Sequence, residues 1–309
     1  MKAIRRVAFA AALWMSLGAV QMNQPVSFAD VLGLKAGSPN RVISYGPAAQ
    51  QFGELWLPEA QGPHPLVVFI HGGCWLNEYD VGHSAPLSAA LKSAGYAVWS
   101  VEYRRIGDPD GGWPGTLLDI GAAIDHVRVL AREFPVDESR VVVSGHSAGG
   151  HLALWGAARP DLESGHPFYG EKGEKYVEDP VAVRGAIGLA AIADLDLYAR
   201  GQSSCERATL ELMGGSPEVQ PERYAAASPA RLVPWTAPTH LLQGQADPIV
   251  PGAQASALVS AAAAAGQQIQ VSWVDGAGHF DLIHPHTPAF RRVLEVLGEM
   301  LPANQGPAP

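Results

Sequence analysis

Cysteine is nearly absent from this chain, which holds only Cys74 and Cys205 among its 309 residues. Neither lies in a Cys-His cluster with zinc-ligand spacing. That scarcity excludes a zinc-finger module and a small scaffold stapled by many disulfides. Charge is sparse as well, at 17% of residues, and the basic share is the smaller one: 21 Lys and Arg against 30 Asp and Glu. The formal net charge is −9; the first 29 residues contribute Lys2, Arg5 and Arg6 and no acid, so the remainder carries −12 (the total less those three positive charges). An acidic body without a basic stripe argues against nucleic acid or an anionic membrane surface as a partner. A phosphate-cradling Walker loop and a dinucleotide Gly-x-Gly-x-x-Gly are both missing, so no nucleotide cofactor is expected. Internal repeats are missing too.

Long apolar runs are equally scarce. The one that stands out, Val7 to Val20, follows the positive Lys2, Arg5 and Arg6 and is short for a membrane span. Ser27-Phe28-Ala29 then offers a small-x-small cleavage site. The expectation is a signal peptide over residues 1–29, with Asp30 first in the mature chain and a periplasmic or secreted destination. Earlier cleavage and an uncleaved anchor are the alternatives. No later segment is apolar and long enough to span a bilayer, so the mature chain is expected to have no stable membrane span. Residues 30–309 are expected to form a single α/β domain, and the 47% hydrophobic content of the full chain suffices for a large core.

What is present is a run of strand-forming segments, each ending in a loop of chemical interest. Val141-Val142-Val143 leads into Gly145-His146-Ser147-Ala148-Gly149, and a helix-like stretch follows from His151 to Ala158. A serine on a tight strand-to-helix turn projects its hydroxyl toward a substrate, and the flanking glycines let the two elements approach closely. Upstream, the apolar Leu66–Ile70 run ends in His71-Gly72-Gly73-Cys74-Trp75. Glycines here can turn backbone N–H groups toward a developing oxyanion. The candidate oxyanion hole is therefore Gly72, Gly73, Cys74 and Ala148, with Gly73 or Cys74 and Ala148 as the donors. Downstream, Thr239 to Pro251 reads as a strand, a loop with one acid, Asp247, and a proline stop, and the Ile269–Val274 strand opens into Asp275-Gly276-Ala277-Gly278-His279. Ser147, Asp247 and His279 thus occur in the order nucleophile, acid, base. His279 would take the Ser147 proton, and Asp247 would orient its ring.

Other candidates fit less well. Asp275 and Asp281 are too close in sequence to His279 to orient its ring easily. Asp194 and Asp196 read as turn or cap residues. His71 and His146 read as loop braces beside the site, and His284 and His286 as surface residues.

The combination of HGGCW, a Tyr103-Arg104 pair after the Ala97–Val101 strand, GHSAGG and GAGHF resembles the α/β-hydrolase superfamily. Within it, the chain looks like the esterase and lipase-like branch that includes kynurenine formamidase (arylformamidase), over roughly Val42 to Leu301. The resemblance implies a doubly wound, mostly parallel sheet of about eight strands with helices on both faces. It also implies a serine hydrolase with an acyl-enzyme intermediate, no cofactor and no metal. The substrate expected is a small-molecule ester or amide. A small carboxylic ester is favoured, formamide hydrolysis is the alternative, and a non-catalytic binding protein is less in keeping with an intact triad.

Pocket and cap assignments follow from position in the chain. Trp75, Tyr79, Trp113 and His146 are candidates to line the substrate pocket. Residues 198–234 could form a cap or lid. Cys74 and Cys205 either form a disulfide tying that segment over the pocket or remain two buried thiols. One long helix is expected over Pro114–Phe134, an excursion loop over Pro160–Val181 and a frayed tail over Asn304–Pro309.

Overall fold

The structure is a computed structural model that describes residues 24–168 and 179–303. Most of the expected signal segment, the centre of the 160–181 excursion and the expected frayed tail lie outside the described residues.

Eight strands make one sheet: β1 (Arg41–Ser44), β2 (Phe52–Trp56), β3 (His64–Ile70), β4 (Ala97–Val101), β5 (Val136–His146), β6 (Gly185–Leu189), β7 (Thr239–Gly244) and β8 (Gln270–Val274). Their order across the sheet is β1-β2-β4-β3-β5-β6-β7-β8. The first two pairings are antiparallel, and all the others are parallel. The central strands β3, β4 and β6 are buried along their whole length, as two-sided coverage requires of parallel strands. Edge strand β1 is largely exposed. This is the doubly wound architecture expected from the motifs.

The helices are α1 (Phe28–Leu32), α2 (Ala85–Ser93), α3 (Gly115–Asp125), α4 (Val127–Glu133), α5 (Ala148–Ala158), α6 (Leu195–Tyr198), α7 (Ser204–Met213), α8 (Pro221–Ala227), α9 (Pro229–Leu232), α10 (Ala253–Ala264) and α11 (Pro288–Met300). One face of the sheet carries α2 and α11, whose Leu87, Leu91, Phe290, Val293 and Leu297 pack on Val67, Phe69 and Val142. The opposite face carries α3, α4, α5 and α10, with Leu117, Ile120, Ile124, Leu152 and Leu258 against Val68, Val143 and Ala186. Helix α5 is buried on every side, since it lies between the sheet and helices that include α3 and α9.

The single helix expected over Pro114–Phe134 is instead two, α3 and α4, separated at His126. The ψ of −16° at His126 relaxes the turn there, and the preceding Asp125 is drawn away to Arg159 and the Val181 N–H. The 198–234 segment contains α7, α8 and α9, and α8 and α9 lead back to the sheet through the Val233–Pro238 stretch. Parallel topology brings the C-terminal ends of β3, β5, β7 and β8 to one rim of the sheet. Every candidate catalytic residue follows one of those ends.

Candidate active site

The nucleophile turn is built by close packing. A Cβ on Gly145 would lie 2.1 Å from the Gly149 carbonyl oxygen, and one on Gly149 would lie 2.1 Å from that of Ile70. No other residue type permits that approach between β5, α5 and β3. Between the two glycines Ser147 adopts φ 58°, ψ −119°, a conformation that costs a non-glycine residue about 1–3 kcal/mol. The surroundings impose it: the Ser147 N–H donates to the Leu189 carbonyl at 2.8 Å, and the Ser147 carbonyl accepts from His151 at 3.1 Å. Strain here points the side chain away from the sheet and over the rim.

Asp247 follows β7 in a loop that fully buries its carboxylate. One oxygen accepts the N–H groups of Ile249 and Val250 at 2.8 and 2.9 Å. The other receives His279 Nδ1 at 2.7 Å. That contact fixes the histidine tautomer and leaves Nε2 for the cavity. His146 supports the same loop from below, its Nε2 donating to the His279 carbonyl at 3.0 Å while the two rings lie 4.3 Å apart. Burial pushes the His146 imidazole well below its usual range, so it is neutral and serves as a brace. The rival acids sit elsewhere: Asp194 caps α6, Asp196 pairs with Arg231, and Asp281 accepts the Gly278 N–H.

The loop after β3 has the backbone an oxyanion hole needs. Gly73, Cys74 and Trp75 all have positive φ, at 104°, 53° and 59°. Glycine is required at position 73, where a Cβ would come within 2.4 Å of Tyr79. Gly72 lies directly against the nucleophile, its Cβ position 3.3 Å from the Ser147 Cβ. Among the described residues, the N–H groups of Gly73, Cys74 and Ala148 have no protein acceptor. Ala148 is the first residue of α5, so its N–H also belongs to the positive end of a helix.

His71 braces this loop, as expected from the sequence, but the buried carboxylate behind it, Glu102, was not foreseen. Glu102, just past β4, receives His71 Nε2 at 3.0 Å and the Val81 N–H at 3.0 Å. His71 Nδ1 donates to the Gly72 carbonyl at 2.8 Å, and the Tyr103 hydroxyl donates to the His71 carbonyl at 3.0 Å. Arg105 donates to the Tyr79 carbonyl, and the Ile106 N–H to that of Trp75. Burial pushes the Glu102 carboxyl up, but His71, Arg105 and the Tyr103 N–H outweigh it and hold it below the usual carboxylate range. The available clue was register: Val101 pairs with Ile70, so the residues that follow them meet at the rim.

Ser147 and His279 open into one cavity of about 300 Å³. Gly73, Cys74, Tyr79, His146, Pro248 and Ile249 line it, and Ser203, Ser204 and Cys205 enter from the start of α7. Cys74 and Cys205 form a disulfide, with Cα atoms 5.0 Å apart across 131 residues of sequence. Of the two sequence alternatives, the structure thus has the bond, which joins the start of α7 to the oxyanion loop. Two of the pocket assignments are corrected. Trp75 is fully buried and packs edge-on against His151, because its positive φ turns the side chain inward. Trp113 packs against Phe168 and under Arg223, behind the cap. The aromatic lining residues missed are Phe28 and His83, which belong to no motif, and Phe280, the last residue of GAGHF.

A parallel sheet carrying a strained serine, a carboxylate-held histidine and free backbone donors at one rim defines an α/β-hydrolase. Comparison with known proteins gives the family: the BD-FAE model matches residues 54–262, and the chain belongs to that family. Among curated relatives, Esterase LipC of Mycobacterium tuberculosis is 29% identical over 255 residues, 79% of this chain and 60% of that protein. Isoprenylcysteine alpha-carbonyl methylesterase ICME of Arabidopsis thaliana is 27% identical over 253 residues, 78% of this chain and 56% of that protein. The chain spans 60%, 44% and 61% of the lengths of LipC, LipM and LipQ. Among solved structures, a truncated carbohydrate esterase from gut microbiota superposes with a TM-score of 0.73 at 23% identity, covering 86% of this chain and 96% of that one. Esterase B from Lactobacillus rhamnosis gives 0.69 at 21% identity, covering 86% and 87%. The family so shown is coarser than the formamidase branch that the sequence motifs resemble.

Proposed function

We propose that this chain is a serine carboxylesterase acting on small esters. The observation that carries this reading is the convergence, in one cavity, of strained Ser147, of His279 held by Asp247 at 2.7 Å, and of three unpaired backbone N–H groups. Ser147 Oγ attacks the ester carbonyl carbon while His279 Nε2 takes its proton. The carbonyl oxygen becomes an oxyanion facing the N–H groups of Gly73, Cys74 and Ala148, each such donor being worth about 3–4 kcal/mol of barrier. Collapse expels the alcohol, which leaves with the proton from His279, and Ser147 remains acylated. Water then repeats the sequence with the acid as product. LipC, LipM and LipQ are named as esterases or carboxylic ester hydrolases, which supports the same reading.

The test is p-nitrophenyl acetate hydrolysis by the protein and by Ser147→Ala. The expected result is a loss of roughly 10⁴-fold or more in kcat. Unchanged turnover in the variant would overturn the assignment. The HGGCW loop also suits a formamide carbonyl, and faster turnover of N-formylkynurenine than of simple esters would move the substrate class there.

Export belongs to the same proposal. It is supported by the basic start and the single long apolar run of the sequence. Among the described residues no helix is long and apolar enough to cross a membrane.

A further inference from the structure

The segment just ahead of β1 touches the candidate site, although nothing in the hydrolase motifs calls for it. Ser27 caps α1 through a reciprocal capping box with Asp30. On one side of this short helix Val31 is 1% exposed and joins the apolar cluster that includes residues of α2 and α11. On the other, Phe28 lines the cavity that contains Ser147 and His279. Its ring lies 5.7 Å from Tyr79, 5.5 Å from His83 and 5.4 Å from Phe280. Tyr79 belongs to the loop carrying the oxyanion donors, and Phe280 follows the triad histidine directly. Phe28 therefore bridges the two catalytic loops at the mouth of the pocket.

Asp281 latches the arm in place. Its Oδ2 accepts the Val26 N–H at 3.0 Å and the Gly278 N–H at 2.9 Å. One carboxylate oxygen thus ties the arm to the turn that presents His279. Pro25 closes on the same turn, 2.6 Å from where a Cβ on Gly278 would be.

We infer that residues 24–32 are a working wall of the active site, and that Phe28 sets the size of the ester group admitted beside Ser147. The inference rests on the esterase reading above. Phe28 adds no chemistry; it takes the space that a longer chain would occupy. It also bears on processing. Cleavage after Ala29 would discard Phe28 and the Val26–Asp281 bond, so a mature enzyme with this pocket begins upstream of Pro25.

The experiment uses the full chain and its Phe28→Ala and Phe28→Leu variants. kcat/KM is measured for p-nitrophenyl esters of C2 to C8 acids and for acetates of C2 to C8 alcohols. In one of the two series, Phe28→Ala should raise the C8-to-C2 ratio by roughly tenfold, the worth of about two newly accommodated methylenes, with Phe28→Leu between it and the parent. Ratios unchanged in both series would overturn the proposal. Hydrogen exchange at the Val26 amide supplies a readout independent of turnover: slow exchange in the parent and fast exchange in Asp281→Asn are expected, and fast exchange in the parent would overturn the docked arm. A docked arm with no Ser147-dependent hydrolysis of any ester would instead overturn the esterase reading, and the selectivity role with it. N-terminal sequencing of exported protein that returned Asp30 would also overturn the proposal.

Discussion

At the scale of single residues, the site is a set of conformations the surroundings impose. Ser147 holds φ 58° because the Leu189 carbonyl, the α5 start and the β3 rim leave its backbone no alternative. That strain separates two substitutions that look alike chemically. Ser147→Ala removes the hydroxyl and keeps the strain, whereas Ser147→Gly removes both. Glycine's looser unfolded state offsets part of the gain. Urea unfolding should still find Ser147→Gly more stable than Ser147→Ala by about 1 kcal/mol. Equal midpoints would mean the turn is less strained than its dihedrals indicate. The triad itself was legible in the sequence, because each member sits in a small-residue turn after an apolar strand. Phe28 and Glu102 were not. A phenylalanine beyond the apolar Val7–Val20 run and a glutamate after a strand carry no local pattern; the β3–β4 register brings Glu102 to the rim, and the Val26–Asp281 bond brings Phe28 there.

At the scale of elements, the Cys74–Cys205 bond couples two parts that different forces hold. The oxyanion loop is braced from behind by Glu102, Tyr103, Arg105 and Ile106. Helix α7 stands on its own capping box, Ser203 with Glu206, and reaches the pocket only at its first residues. The disulfide is what holds that end against the loop. Closing a stretch of 131 residues limits the unfolded chain, an effect of about 5 kcal/mol in the entropy model and commonly 2–4 in practice. Cys205→Ser should therefore lower the unfolding free energy by about 2–4 kcal/mol. It should also cut kcat/KM for p-nitrophenyl acetate by roughly tenfold to a hundredfold, since small displacements of oxyanion donors are costly. Dithiothreitol should do the same to the parent and nothing further to the variant. A variant as active and as stable as the parent would make the bond incidental. Sequence position alone left both bonded and free thiols open here, because pairing depends on where α7 docks. The helix break at His126 escaped notice for a related reason, as the apolar repeat runs on unbroken and Asp125 is pulled aside by partners far along the chain.

At the scale of the whole molecule, several histidines are neutral parts of the packing. Burial pushes His83 down to about 3 and His151 to about 4, and it holds His146 well below its usual range. In the unfolded chain each takes up a proton near pH 6.5. Between that pH and the depressed folded values the unfolded state binds more protons, so stability falls as pH falls. Each histidine contributes a slope of about 1.4 kcal/mol per pH unit within its window. Glu102 acts in the same direction lower down. Its folded value lies below the usual carboxylate range, so the stability it adds at neutral pH is lost as pH drops through that folded value. Urea unfolding at pH 7.5 and pH 5.0 should show a loss of several kcal/mol at the lower pH, concentrated below pH 6.5. His151→Gln should flatten that dependence by about one proton's slope, since the His151 side chain does not line the cavity, its backbone bond to the Ser147 carbonyl survives the substitution, and only its Nε2 donor to Ala227 needs replacing. A stability curve flat from pH 7.5 to 5.0 would mean that these imidazoles take up protons in the folded protein as readily as in water. The acid sensitivity would then have to be sought in the carboxylates alone.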